Sequence, residues 1–164
     1  MQQGSESTGS KRLLEGTVAV VTGAGGGIGA GIVRQLSAAG AAVVAHYHSS
    51  EQATANLVEE INRTGGRAIA KQADITDPSA CDELMAASVS EFGALDVLVN
   101  NAGVQPVQAL ADMTVDQWRN VVDTNVTGTF LATQAAANIM RVNGGGSITQ
   151  IASIEGTQPA RNHA

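Results

Sequence analysis

The chain is predicted to fold as a doubly wound α/β domain, a parallel sheet between two layers of helices, and three observations predict it. Short apolar, β-branched runs alternate with amphipathic helical stretches. The first run, Val18 to Val21, enters a glycine-dense turn and then a helix, reading TVAVVTGAGGGIG over Thr17 to Gly29. The aromatic residues are few (Tyr47, Phe92, Trp118 and Phe130), so the core must be assembled from Val, Ile, Leu and Ala. Helices packed closely on a parallel sheet have that composition.

The elements follow in order. Val18 to Val21 is small, apolar and bounded by glycine, as suits a first, buried strand. Ile28 to Ala39 carries a helical stripe through Ile28, Ile32, Val33 and Leu36, and Gly40 ends it. Ala42 to Tyr47 is the second strand. Glu51 to Thr64 is amphipathic through Ala55, Val58 and Ile61, and Gly65-Gly66 stops it. Arg67 to Ala73 is the third strand, and Asp77-Pro78 opens a helix through Leu84, Met85 and Val89. Leu95 to Val99 is the fourth strand. Thr114 caps a long helix with an apolar face of Val115, Trp118, Val121, Val122, Val126, Phe130 and Leu131. Gly144 to Gly146 ends it, and Ser147 to Ala152 is the fifth strand.

At 164 residues the chain forms one domain, from 14 to 164, preceded by a polar tail over 1–13. The net charge of −6, with no basic cluster beyond Lys11-Arg12, argues against a nucleic-acid surface. No apolar run is long enough to span a membrane, and the polar start lacks a secretory h-region, so a cytoplasmic location is expected. The single cysteine, Cys81, suits a reducing compartment and reads as a helix-packing residue.

The glycine turn is where phosphate chemistry is expected. A strand that ends in glycines and restarts as a helix presents bare N–H groups, and the helix dipole favours an anion there. The pattern G-x-G-x-x-G does not fit; T-G-x-x-x-G-x-G does, in Thr22, Gly23, Gly27 and Gly29, with Gly25 inside it.

Ligands on such sheets gather at the carboxyl ends of the strands. The second strand ends at His46-Tyr47-His48-Ser49, with no acid to accept hydrogen bonds from a ribose. His48 and Ser49 could meet a phosphate, or the two histidines could simply be exposed. No further His or Cys pair supports a metal site. The third ends at Ala73-Asp74-Ile75, an acceptor beside an apolar side chain that could cradle adenine or merely begin a turn. The fourth ends at Asn100-Asn101-Ala102-Gly103, which could pin loops, bond a ribose or form a tight turn. Asn125 competes with helical hydrogen bonds and sits oddly within the long helix, and the fifth strand leads to Ser153.

In this order the motifs TGAGGGIG, Asp74, NNAG, NVTGTF from Asn125 to Phe130, and SITQIASIEG ending at Gly156 resemble the short-chain dehydrogenase/reductase family. The likeness runs from about Leu14 to the end, nearest its 3-oxoacyl-carrier-protein reductase and glucose dehydrogenase members. It implies a Rossmann-type fold and hydride transfer between NAD or NADP and an alcohol or ketone. It puts Gly23, Gly27, Ile28 and Gly29 on the pyrophosphate, and Asp74 and Ile75 on adenine. Asn101, Ala102 and Gly103 meet the adenosine ribose and neighbouring backbone. Ser153 bonds the substrate oxygen, and Asn125 anchors a water in a proton relay. Many NADP users carry a basic residue at Gly26, and many NAD users an acid near Tyr47. Neither is present, and His48 and Ser49 tilt the expectation toward NADP.

The family's Tyr-x-x-x-Lys motif, whose tyrosine is the general acid/base, falls just beyond Ala164. The sheet and chain are therefore expected to be incomplete at the C-terminus, and the 164 residues inactive and marginally stable by themselves. The family also implies a homo-oligomer, paired through the helix of Trp118 and Phe130. The rival reading is a non-catalytic dinucleotide-binding or regulatory protein. An S-adenosylmethionine or flavin binder would leave Asn125 and Ser153 without purpose.

Overall fold

Every side chain of β1, Val18–Val21, is buried, because helices cover both faces of this strand. The structure, a computed structural model, describes residues 12–158. The tail expected over 1–13 lies outside the described residues except for Arg12 and Leu13, and 159–164 lies outside as well. Leu13 is exposed, and Leu14 is the first side chain to join the core.

The elements run α1 (Gly27–Ala38), β2 (Ala42–Tyr47), α2 (Glu51–Arg63), β3 (Arg67–Gln72), α3 (Pro78–Phe92) and β4 (Val97–Asn100). Then come α4 (Val115–Val122), a π-helical stretch (Asp123–Gly128), α5 (Thr129–Val142) and β5 (Ser147–Gln150). All strands are parallel, in the order β3-β2-β1-β4-β5. The chain therefore reverses its direction of winding between β1 and β4, where such sheets open a crevice.

Strand alternation divides the core in two. Val20, Val44 and Leu98 face Cys81, Leu84 and Met85 of α3 and Ala132, Ala135, Ala136 and Met140 of α5. Val21, Val43, Ala45, Ala68 and Val99 face Ala30 and Val33 of α1 and Leu57 and Ile61 of α2. Local signals set the boundaries. Asp77 caps α3 by accepting the Ser79 N–H, with Pro78 in its first turn, and Gly93 closes it with φ +87°. Thr114 and Gln117 form a reciprocal capping box at the start of α4.

Some stripes differ from expectation. Ala55 is exposed, and Thr54, Leu57 and Ile61 are the buried face of α2. Val89 is exposed, and Cys81, Leu84, Met85 and its neighbour Ser88 are the buried face of α3. No residue of α4 is buried, so Val115 and Trp118 form no core; with Val126 and Phe130 they remain exposed. Strand β5 ends at Gln150 rather than Ala152, and three of its four residues are exposed.

Candidate functional site

The glycine turn is held from inside the fold. Thr22 is buried, and its hydroxyl oxygen accepts the N–H groups of Asn101 and Ala102, both at 3.0 Å. Asn101 Nδ2 donates to the carbonyls of Thr22 and Gly23, again at 3.0 Å. Gly23 donates its own N–H to His46 Nδ1 at 3.1 Å, and Ala24 donates to the His46 carbonyl at 2.7 Å. The strand-end His46 is thus buried, which corrects the reading of two exposed histidines: its ring spans from the Gly23 N–H to the Ala73 carbonyl at 3.1 Å.

The glycines divide by what surrounds them. A Cβ on Gly23 would lie 2.8 Å from Ala102 Cα, and one on Gly29 would lie 2.2 Å from the Gly23 carbonyl oxygen. These two allow close approach of backbone to backbone. A Cβ on Gly25 would meet Ser50. Gly26 and Gly27, at the start of α1, would meet nothing within 4 Å. The open face of the turn is therefore the one at the helix N-terminus, with Ile28 exposed beside it.

A cleft of about 600 Å³ lies against this turn. Its walls include Gly23, Gly25 and Gly26, then His48 and Ser49 after β2, Asp74 and Ile75 after β3, and Ala102 and Gly103 after β4. Asp74 Oδ1 accepts from the Thr76 N–H at 2.9 Å and hydroxyl at 2.7 Å. Those bonds hold the carboxyl below its ordinary pKa, so it stays an acceptor at neutral pH. Ile75 is mostly in the core, where Gly128 leaves room for its Cδ1, and only its edge lines the cleft.

A second cavity of about 550 Å³ is lined by Ile28, Asn101, Asn125 and Ser153, among others. Gly103 and Val104 line both spaces, so the loop after β4 is the wall between them. Asn125 lies in the π-helical stretch and holds this wall through the backbone of Val104. Ser153 Oγ accepts the Glu155 N–H at 3.2 Å, which leaves its hydroxyl proton to be donated outward. Gln105 donates to Glu155 at 2.8 Å across the mouth. Tyr47 lines the first cleft and not the cavity of Ser153.

His46 and Ser50 are residues of this site that sequence reasoning did not place there. A polar residue inside the otherwise apolar run Ala42–Tyr47 was the available signal for the first. Among the described residues no group of three or more His, Cys, Asp or Glu is placed to hold a metal, and no helix is long and apolar enough to cross a membrane.

The cleft suits a dinucleotide. It offers open glycine backbone at a helix N-terminus, an acceptor beside an apolar edge, and a volume within the ordinary range for small-molecule sites. Comparison with known proteins agrees. A family model described as short chain dehydrogenase matches residues 17–164. The chain is 40% identical over 143 residues to a 3-oxoacyl-[acyl-carrier-protein] reductase of Synechocystis, covering 87% of this chain and 58% of that protein. It is 37% identical over 143 residues to glucose 1-dehydrogenase 2 of Bacillus subtilis, covering 86% and 55%. A solved short chain dehydrogenase from Mycobacterium avium superposes with a TM-score of 0.85 at 31% identity, covering 92% of this chain and 59% of that one. The chain thus spans little more than half the length of the relatives it matches. It belongs to the short-chain dehydrogenase family.

Proposed function

We propose that this member of the short-chain dehydrogenase family is the dinucleotide-binding part of an NAD(P)-dependent oxidoreductase acting on a small alcohol or ketone. One observation carries the reading: the glycine-turn cleft and the cavity of Ser153 adjoin across a single loop, Gly103-Val104. A nicotinamide dinucleotide would supply the hydride donor or acceptor.

The chain's own residues would bind and orient. The N–H groups at the start of α1 would meet the pyrophosphate, and Asp74 would accept from the adenine amino group. Asn101, Ala102 and Gly103 would flank the adenosine ribose. Ser153 would donate to the substrate oxygen, stabilising charge that develops there. A serine hydroxyl holds its proton too tightly near neutral pH to act as the acid, so proton transfer needs another group. The 164 residues alone are accordingly expected to turn over slowly or not at all. Asn125, whose side chain supports the dividing loop, is assigned to water anchoring only by the family pattern.

The cofactor proposed is NADP in preference to NAD. The cleft is bordered at the end of β2 and just after it by Tyr47, His48, Ser49 and Ser50, with no carboxylate among them to repel a 2′-phosphate. A homo-oligomer is proposed because Trp118 and Phe130 stand exposed on α4 and α5. A cytoplasmic setting is proposed on the single cysteine, which is reduced and buried.

Fluorescence titration of the purified chain with NADPH and NADH tests the reading. Saturable binding of both, tighter for NADPH, is expected. Absence of binding to either at millimolar concentration would refute it, and tighter binding of NADH would refute the NADP preference.

A further inference from the structure

We propose that His46 is the positioning residue of the dinucleotide cleft: its neutral imidazole links the glycine turn after β1 to the end of β3. The inference rests on the dinucleotide reading.

Two backbone groups face the ring from opposite sides. Gly23 presents an N–H 3.1 Å from Nδ1, and Ala73 presents a carbonyl 3.1 Å from Nε2. Joining a donor to an acceptor across one side chain requires an acceptor at one end and a donor at the other. Neutral imidazole has both, and only the tautomer protonated at Nε2 satisfies both partners. His46 also takes the Ala24 N–H on its own carbonyl at 2.7 Å. Two successive amides of the turn therefore end on one residue.

The Gly23 carbonyl is held on the other side by Asn101. The amides of Gly23 and Ala24 are consumed within the fold, and a phosphate must be met further along, towards Gly26 and Gly27. The strand end pinned through Ala73 is the one that carries Asp74 and Ile75. His46 thereby sets the spacing between the phosphate-binding and adenine-binding ends of the cleft.

This link is lost on protonation. The cation has two donors, so its Nδ1–H would oppose the Gly23 N–H. Burial holds the His46 pKa below its ordinary value; the Ala73 carbonyl opposes that shift, His48 adds to it, and Asp74 opposes it. Besides His46, the titratable residues that line the cleft are Tyr47, His48 and Asp74. Cleft geometry, and with it affinity, is retained while His46 is neutral and declines as pH falls through its lowered pKa.

The test compares the wild-type chain with His46→Asn and His46→Leu. The probe is NAD⁺, which is stable in acid and lacks the 2′-phosphate that itself titrates, with affinity measured by calorimetry from about pH 8 to about pH 5. His46→Asn keeps a non-titrating acceptor near the Nδ1 position. At about pH 8 it keeps the Gly23 bond but loses the Ala73 one, so it should bind more weakly than wild type by about threefold to tenfold, and His46→Leu, which loses both, by more than about tenfold. On acidification the wild type should lose affinity faster than His46→Asn, a difference that His48, common to both, cannot produce.

Equal binding by His46→Leu and wild type, or identical pH profiles for wild type and His46→Asn across the pH at which NMR shows the His46 ring to titrate, would overturn the proposal. If wild type binds NAD⁺ at no pH, and neither NADPH nor NADH at neutral pH, the dinucleotide reading fails instead. Nitrogen NMR of the ligand-free chain then decides the link itself. The Gly23 amide should shift and exchange faster as the His46 ring titrates, and a Gly23 amide indifferent to that titration would refute the link.

Discussion

Asn125 grips both backbone groups of Val104. Its Oδ1 accepts the Val104 N–H at 2.8 Å, and its Nδ2 donates to the Val104 carbonyl at 2.9 Å. A side-chain amide has a donor and an acceptor at the spacing of a peptide group, so Asn125 pairs with the loop much as a strand would. The π-helical stretch that carries it, Asp123–Gly128, interrupts the regular helical ladder where the helix meets this loop. The paired loop is the wall between the glycine-turn cleft and the cavity of Ser153.

Asn125→Ala should therefore cost about 1–2 kcal/mol, since two hydrogen bonds are lost in a part-exposed setting. Hydrogen exchange at Val104 is the sharper readout, because it reports the loop directly. Unchanged exchange there would show that the loop stands without Asn125.

Thr22 is buried and contributes by what it accepts. Its hydroxyl oxygen satisfies the Asn101 and Ala102 amides, and its proton is directed at the Val99 carbonyl at a long 3.5 Å. Thr22→Val keeps the shape and strands two amides, at a cost of about 2–4 kcal/mol. Thr22→Ser restores the acceptor and should recover most of the loss. Urea unfolding of the two variants would separate them, and equal midpoints would contradict this account.

Gly29 and Gly26 are predicted to respond differently to alanine. At Gly29 the new methyl meets the Gly23 carbonyl, a backbone atom that cannot turn aside, so a loss of about 2–4 kcal/mol is expected. At Gly26 the backbone is extended and the space is open, so stability should stay within about 0.5 kcal/mol. Thermal melts of the two variants provide the comparison. Gly26→Arg, filling that open space with a cation, should strengthen binding of NADPH relative to NADH.

Cys81 should be inert. Its thiol is buried, donates to the Ile75 carbonyl at 3.2 Å, and has its pKa pushed up to about 11, by burial first and by nearby acidic side chains second. The reactive form is the thiolate, so near pH 8 Ellman's reagent should label the folded chain at least about a hundredfold more slowly than the denatured one. Because the folded pKa is raised, the thiol remains protonated well into alkali, and labelling should accelerate only as pH climbs towards that value. Prompt labelling of the folded chain would mean that α3 opens readily or packs elsewhere.

The order of elements was legible in the sequence because its signals are local. A β-branched run bounded by glycine sets β1 at Val18–Val21, Asp77-Pro78 sets the start of α3, and Thr114 sets the start of α4. Candidate site residues could also be nominated, since ligands on a parallel sheet collect at strand ends. Their roles could not. Five glycines in one turn look alike along the chain, and only Ala102, Asn101 and Ser50, brought in from other strand ends, separate those needed for packing from those open to a phosphate. His46 looks like a surface residue beside His48 until Gly23 and Ala73 close on its two nitrogens. Trp118 and Phe130 mark an apolar helix face by their periodicity, and only the fold shows that this face is exposed. Periodicity says which side of a helix is apolar; tertiary structure says what faces it. Hydrogen-bond partners and neighbours are decided by distances between residues far apart in sequence, and those distances exist only once the chain has folded.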